Sequence, residues 1–226
     1  MGFTAIVPAA GSGTRMGAPG GKLLLPLCGQ PLLSFTLLSL ASSQSVDKIV
    51  IVTREEDILP LFDLAKSLEL DVPVTVVRGG ATRAESVLSG LNEATDADWV
   101  LVHDGARCLI TPEEIDRVAA AAKTRGAAAI GVRVKDTIKV CDSSGKILNT
   151  PDRSTLWAVQ TPQAFSAPLL REAFSKLTDF NVTDDCAVCE RAGIPVYMVE
   201  GSYENIKITT PDDLLVAEGF LKQRGF

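Results

Sequence analysis

The stretch VPAAGSGTRMGAPGGKLLLPL, Val7 to Leu27, decides how the rest of the chain is read. It continues an apolar run, TAIVP, and carries five glycines together with the cations Arg15 and Lys22. Gly-rich loops between a strand and a helix close their backbone N–H groups on anions, because no Cβ holds the ligand away. Two common versions fail on spacing. The dinucleotide fingerprint G-x-G-x-x-G needs its third glycine where Met16 stands, and an acidic residue about 20 positions further on. The Walker A pattern meets Met16 in place of its first glycine and Leu23 in place of its Mg²⁺-binding hydroxyl. What remains is A-A-G-x-G-x-R and a later lysine: Ala9, Ala10, Gly11, Gly13, Arg15 and Lys22. Small residues admit a nucleoside against the backbone, and two cations suit a polyphosphate. A tight surface turn with solvated charges is the competing reading of the loop alone.

Composition narrows the ligand. The chain has 226 residues, 46% hydrophobic and 22% charged, with a net charge of -6. That balance suits one α/β domain spanning residues 1–226. The negative charge argues against a broad nucleic-acid surface, so a phosphate site has to be a local cluster of cations. No charged n-region and no apolar stretch of membrane-spanning length is visible, so the sequence reads as cytoplasmic, with no membrane partner. Its five cysteines, Cys28, Cys108, Cys141, Cys186 and Cys189, are expected to be reduced thiols. Cys186-x-x-Cys189 lacks a second pair, and the sole histidine is His103, so a zinc or redox role is not favoured.

Short apolar runs at 4–8, 48–52, 72–77, 98–103 and 127–134 alternate with helical patterns, which is how buried parallel strands read. Thr82 with Glu85, Thr111 with Pro112 and Glu114, and Thr210 with Pro211 and Asp213 have the grammar of helix starts. The alternation predicts a doubly wound, mostly parallel sheet with its ligand crevice beyond the carboxyl ends of the strands. Residues 136–153 instead alternate polar and apolar around Ser144-Gly145, as a half-exposed antiparallel hairpin would. The chain returns through TPQAF to a helix from about Ala167, a helix in VTDDCAVCE, the strand IPVYMVE and a final helix.

The strand ends bring four clusters towards one crevice: Arg15 and Lys22, then RGGATRAES with Arg83 and Ser86, then HDGAR with Asp104 and Arg107, then NIK with Lys207. Singly each has a duller explanation: a turn cap for Asp104, a solvated helix charge for Arg83, an edge-strand lysine for Lys207. Their joint placement favours a site.

PAAGSGTRMGAPGGK, GGATRAESV, VLVHDGAR, VKDTIK, DRSTLWAVQTPQAF, TDD and NIKITTPDDL, in order from Ile6 to Phe220, together resemble the 2-C-methyl-D-erythritol 4-phosphate cytidylyltransferases of non-mevalonate isoprenoid synthesis. The resemblance implies a Rossmann-like nucleotidyltransferase fold with a projecting hairpin arm. It implies that Ala9, Ala10, Gly11, Gly80 and Ser86 line the cytidine pocket, that Gly13, Arg15, Lys22 and Lys207 face the triphosphate, and that Asp104, Gly105, Arg107 and Thr161 hold the methylerythritol end. It also implies a homodimer in which the 136–153 arm brings Thr137 and Arg153 to the neighbouring subunit's site. Three stretches depart from the family's pattern. Gly21-Lys22-Leu23 stands for Pro-Lys-Gln, Cys108 for a proline, and Ala81 for an aspartate of some members.

The implied chemistry is attack by a phosphate oxygen of the sugar-alcohol phosphate on the α-phosphorus of CTP, releasing pyrophosphate. A phosphate monoester, with a second pKa of about 6, is already mostly dianionic at neutral pH and needs no base. Catalysis is then charge neutralisation and in-line positioning by Arg15, Lys22 and Lys207, with Mg²⁺ on the phosphate oxygens. A ribitol 5-phosphate cytidylyltransferase shares the CTP half of this reading. The transferases of molybdenum-cofactor maturation share only the opening loop, and a non-catalytic nucleotide-binding module is the alternative outside enzymes.

Overall fold

The computed structural model describes residues 2–11 and 21–226. Gly13 and Arg15 lie outside the described residues. Strand β1 (Phe3–Pro8) is followed by a small hairpin, β2 (Pro26–Leu27) and β3 (Gln30–Pro31), and by α1 (Leu32–Ala41). Then come β4 (Val46–Thr53), α2 (Ile58–Ser67), β5 (Val74–Arg78), α3 (Arg83–Glu93), β6 (Trp99–Val102), α4 (Pro112–Arg125) and β7 (Ala127–Arg133). The remainder is β8 (Val140–Cys141), β9 (Ile147–Asn149), β10 (Trp157–Ser166), α5 (Ala167–Ser175), α6 (Asp185–Arg191), β11 (Tyr197–Glu200) and α7 (Pro211–Gln223). None of these helices is long and apolar enough to cross a membrane.

Seven strands form one sheet in the order β11-β7-β10-β6-β1-β4-β5. Pairings β1–β4, β1–β6, β4–β5 and β7–β11 are parallel, and β10 runs antiparallel to both of its neighbours. The two-residue period of each strand divides the core. Phe3, Ala5, Val7, Ile49 and Ile51 pack on one side with α1, α2, α4 and α7, while Ile6, Val50 and Val52 pack on the other with α3, α5 and α6. Because both faces are covered, the central strands are apolar throughout rather than alternating. The doubly wound, mostly parallel sheet expected from the βα rhythm is therefore present. The sequence reading lacked β10, whose segment carries Pro162 and whose pairing with β7 is interrupted between Val159 and Gln163.

Both helix starts read as Thr-x-x-Glu close as reciprocal capping boxes, at Thr82/Glu85 and Thr111/Glu114. At α7 the Asp213 carboxylate accepts from the Thr210 N–H at 2.8 Å. The 136–153 segment is a hairpin closed by β8 and β9, with Gly145 at φ +85° in its turn. Every residue from 135 to 150 is exposed, so the arm leaves the body of the fold.

Helix α3 sits unusually close to the sheet at Gly90, where an added Cβ would stand 2.5 Å from Ile6 Cγ2 and 2.9 Å from Val52 Cγ2. Gly90→Ala, although favourable by about 1 kcal/mol in helix propensity, is expected to destabilise by roughly 1–3 kcal/mol through overpacking. Urea denaturation checks this: a midpoint at or above that of the wild type would show that α3 can back away freely.

Candidate active site

Loops leaving β1, β5 and β6 enclose a cleft of about 390 Å³ at the carboxyl edge of the sheet. They are tied to the strands beside them. Ala9 N–H donates to the Val52 carbonyl at 2.7 Å, Gly79 N–H to the Thr53 carbonyl at 2.7 Å, and Gly105 N–H to the Pro8 carbonyl at 3.4 Å. One wall is the backbone of Ala9, Ala10 and Gly11, and another is Gly80 to Arg83 with Ser86. The Gly79-Gly80 pair is required by proximity to α3. A Cβ on Gly79 would meet Ser86 Oγ at 2.6 Å, and one on Gly80 would overlap the Glu85 Cβ. The Ser86 hydroxyl donates to the Thr82 carbonyl at 2.9 Å, leaving its oxygen as an acceptor.

Asp104 is the electrostatic centre. Its Oδ1 accepts from Arg83 Nε at 3.2 Å and its Oδ2 from Lys207 Nζ at 2.7 Å, with Arg107 Nε at 3.8 Å. Burial alone would favour the neutral acid, yet the charges of Arg83, Lys207 and Arg107 hold the Asp104 carboxyl well below the usual carboxylate range. Arg83 reaches past Asp104 to a second carboxylate, Asp185 Oδ2, at 2.8 Å. Burial works against its charge, but Asp185 and Asp104 raise its pKa above the ordinary arginine value. Lys22 Nζ donates to the Ile208 carbonyl at 2.8 Å, so ammonium groups from both ends of the chain stand at one cleft.

Behind this wall lies a buried polar layer. Thr161 Oγ1 stands 3.0 Å from the Asp104 nitrogen and 3.1 Å from His103 Nδ1, and His103 Nε2 lies 3.1 Å from the Arg107 carbonyl. Asn205 Nδ2 donates to the Thr161 carbonyl at 2.9 Å and to Gln160 Oε1 at 3.2 Å, while the Asn205 backbone carbonyl accepts from Arg107 Nη1 at 2.7 Å. Gln163 accepts from the N–H groups of Asp185 and Cys186, both at 3.0 Å, which sets the start of α6 beneath Arg83.

The sequence-predicted residues thus divide. Ala9, Ala10, Gly11, Lys22, Gly80, Ser86, Asp104, Gly105 and Lys207 line the cleft. Thr161 is 4% exposed and faces the backbone of Asp104 rather than the cleft, and Arg107 backs the same turn. Thr137 and Arg153 are exposed on the arm and at its base and do not line the cleft, and Arg153 Nη1 donates to the Lys135 carbonyl at 2.6 Å. Asp185, Asn205, Gln160 and Gln163 were not singled out by sequence. Their signal is polar side chains within segments otherwise destined for the core.

Asp104 is the sole acidic residue of the cleft wall among the described residues, and its oxygens are held by cations. Such a donor set does not fit a protein-ligated Mg²⁺, nor do the described residues hold a cluster of three or more His, Cys, Asp or Glu side chains suited to a metal. The cysteines are all free thiols, with Cys186 and Cys189 buried in the α5–α6 core and Cys141 exposed on the arm.

The family model described as 2-C-methyl-D-erythritol 4-phosphate cytidylyltransferase matches residues 3–223. Proteins of that name from Microcystis aeruginosa and Synechococcus elongatus are 47% and 48% identical over 97% and 98% of this chain, and over 98% and 97% of their own. The crystal structure of 4-diphosphocytidyl-2C-methyl-D-erythritol synthase from Anaerococcus prevotii superposes with a TM-score of 0.86 at 31% identity, covering 98% of each chain. A bifunctional relative from Campylobacter jejuni, at 26% identity and a TM-score of 0.78, matches 96% of this chain over 54% of its own length. A cleft built from both ends of the chain and a match that runs almost from end to end agree: this chain belongs to the 2-C-methyl-D-erythritol 4-phosphate cytidylyltransferase family.

Proposed function

We propose that the cleft transfers the cytidylyl group of CTP to 2-C-methyl-D-erythritol 4-phosphate, giving 4-diphosphocytidyl-2-C-methyl-D-erythritol and pyrophosphate. The observation that carries the site assignment is the pairing of Lys22, anchored on Ile208, with Lys207, anchored on Asp104, across a wall of small residues. In this reading Ala9, Ala10, Gly11, Gly80 and Ser86 receive the nucleoside. Lys22, Lys207 and Arg15 neutralise the triphosphate and the negative charge that builds at the α-phosphorus. Asp104, Gly105, Arg107 and Thr161 shape the polyol end, Thr161 by holding the Asp104 backbone.

The buried layer supplies no general base, which suits a nucleophile that is already an anion. Asp104 is locked as a carboxylate by its cations, and both ring nitrogens of His103 are engaged. Among the described residues the wall holds no carboxylate free to bind Mg²⁺, so any Mg²⁺ would have to be carried by CTP itself, where it would supply further charge neutralisation. The exposed arm, with Ile138, Val140, Ile147 and Leu148 uncovered, is read as the dimerisation element that brings Thr137 and Arg153 to a partner's cleft. The uncovered apolar residues of the arm support reading the protein as a homodimer, and the cytoplasmic assignment rests on the sequence alone.

Pyrophosphate release with methylerythritol phosphate and ribitol phosphate side by side tests the acceptor. Faster turnover of ribitol 5-phosphate would replace the proposed substrate, and no turnover with either would leave a nucleotide binder. In the same assay CTP is expected to be strongly preferred over ATP and GTP, on the reading that a wall of Ala9, Ala10 and the Gly80 backbone suits one ring better than two. UTP should be rejected less completely, since only hydrogen bonds at the exocyclic position distinguish it. Comparable turnover of a purine triphosphate contradicts the assigned pocket.

A further inference from the structure

The turn between β6 and α4 is closed by a circuit in which each donor and acceptor role is forced. The Arg107 carbonyl can only accept, so His103 Nε2, 3.1 Å away, carries the ring proton. Burial lowers the His103 pKa to about 4, which leaves the ring neutral near pH 7 and Nδ1 an acceptor. The Thr161 hydroxyl at 3.1 Å therefore donates to Nδ1. The Asp104 N–H, 3.0 Å from the same oxygen, can only donate to it. Arg107 N–H completes the circuit on the Asp104 carbonyl at 3.0 Å.

This circuit takes over where the sheet stops. The β6–β10 ladder ends at Val102 opposite Gln163, and beyond it the Asp104 N–H finds a side-chain oxygen in place of a strand carbonyl. His103 is fully buried, and its two nitrogens join β10 to the far end of the turn. Since Thr161 gives its only proton to the ring, it has none to offer a ligand. Its effect on the cleft passes through the Asp104 backbone.

Resting on the reaction assigned above, we propose that His103 is a positioning residue: through Thr161 and the Arg107 carbonyl it fixes the turn from which Asp104 presents its carboxylate to the acceptor and to Lys207. It touches neither substrate. An imidazole performing this task has to be a neutral Nε2–H tautomer, and a packing histidine does not.

Because His103 is the sole histidine, ¹⁵N-histidine labelling gives a single ring to observe. At pH 7 we expect a protonated Nε2 and an unprotonated Nδ1, and in Thr161→Val a shift of the Nδ1 resonance while Nε2 keeps its proton. A proton on Nδ1, or an Nδ1 resonance indifferent to Thr161→Val, overturns the proposal, and neither reading depends on turnover. In kinetics, His103→Phe and Thr161→Val should each lower kcat/KM for methylerythritol phosphate by about tenfold or more, with KM for CTP unchanged within about twofold. Thr161→Ser should restore the acceptor constant. The double variant should be little worse than the poorer single one, because one circuit is cut twice. Additive losses, or equal losses for both substrates, count against it. If the wild-type protein transfers nothing to methylerythritol phosphate, the assigned reaction fails, and the imidazole tautomer still decides the circuit.

Discussion

Replacing Asp104 by asparagine will leave Arg83, Arg107 and Lys207 around a buried space without the anion that separates them. Removing one partner of a buried ion pair costs about 3–5 kcal/mol. Here the lower end is expected, because Arg83 keeps Asp185 and the Lys207 side chain, 38% exposed, can turn to water. The urea midpoint should fall by roughly 1 M at pH 7, and acceptor turnover should fall with it. The pH dependence has a definite sign. The folded-state pKa of Asp104 lies below its unfolded value, so its contribution is complete above about pH 4 and fades as the pH falls towards the folded value. Wild type and Asp104→Asn should therefore converge in acid. Denaturation curves at pH 7 and pH 3 provide the check: equal stability at pH 7 would mean that the three cations do not depend on this carboxylate.

The second large effect concerns which subunit supplies which residue. Lys22→Ala should lower kcat by about a thousandfold with the fold intact, the scale of losing a cation that stabilises phosphoryl transfer. Arg153→Ala should be nearly inactive for another reason, the loss of a guanidinium able to hold the acceptor phosphate through two hydrogen bonds. If the exposed arm crosses a two-fold axis, each site takes Lys22 from one chain and Arg153 from the other. A mixed dimer then has one site with both lesions and one with neither. Equal co-refolding makes half of the dimers mixed, so about a quarter of wild-type activity per total site should return. Tag pull-down confirms exchange, and pyrophosphate release reads the outcome. Exchange without recovered activity would place Arg153 in service of its own subunit or of none.

The parallel half of the fold was legible because burial on both faces produces continuous apolar runs, and because threonine and glutamate at capping spacing mark where helices begin. Strand β10 was not. Residues 158 and 159 are exposed, residues 160–165 are buried, and the ladder is broken between them, so neither alternation nor a continuous apolar run survives. The cleft was readable where it consists of glycines and charged residues at strand ends, as at Gly80, Asp104 and Lys207. The supporting layer was harder to see, since its residues have no fixed spacing. In the TDD segment nothing in the letters separates Asp184, which caps α6 by accepting from Ala187 N–H at 2.9 Å, from Asp185, which turns the other way to Arg83. Thr161 came to the acceptor end only through the family resemblance, and no spacing in the sequence announces its bonds to His103 Nδ1 and the Asp104 N–H.

The antiparallel strand at the heart of the sheet also bears on synthesis. A chain emerging from its N-terminus presents β6 and β7 well before the strand that belongs between them. Until residue 166 has been made, β6 has β1 on one side and nothing on the other, an open edge in the middle of the apolar sheet. The same delay holds for the cleft, because the Asp104 N–H has no Thr161 and Arg83 has no Asp185 until those later segments arrive. Strand β10 reaches its slot only across long sequence separations, the kind of contact that slows folding. Insertion of β10 thus fills the gap in the sheet and brings Thr161 to the Asp104 backbone together, Asp185 and Lys207 join the cleft only afterwards, and a nascent chain stalled before β10 has neither a continuous sheet nor a finished cleft.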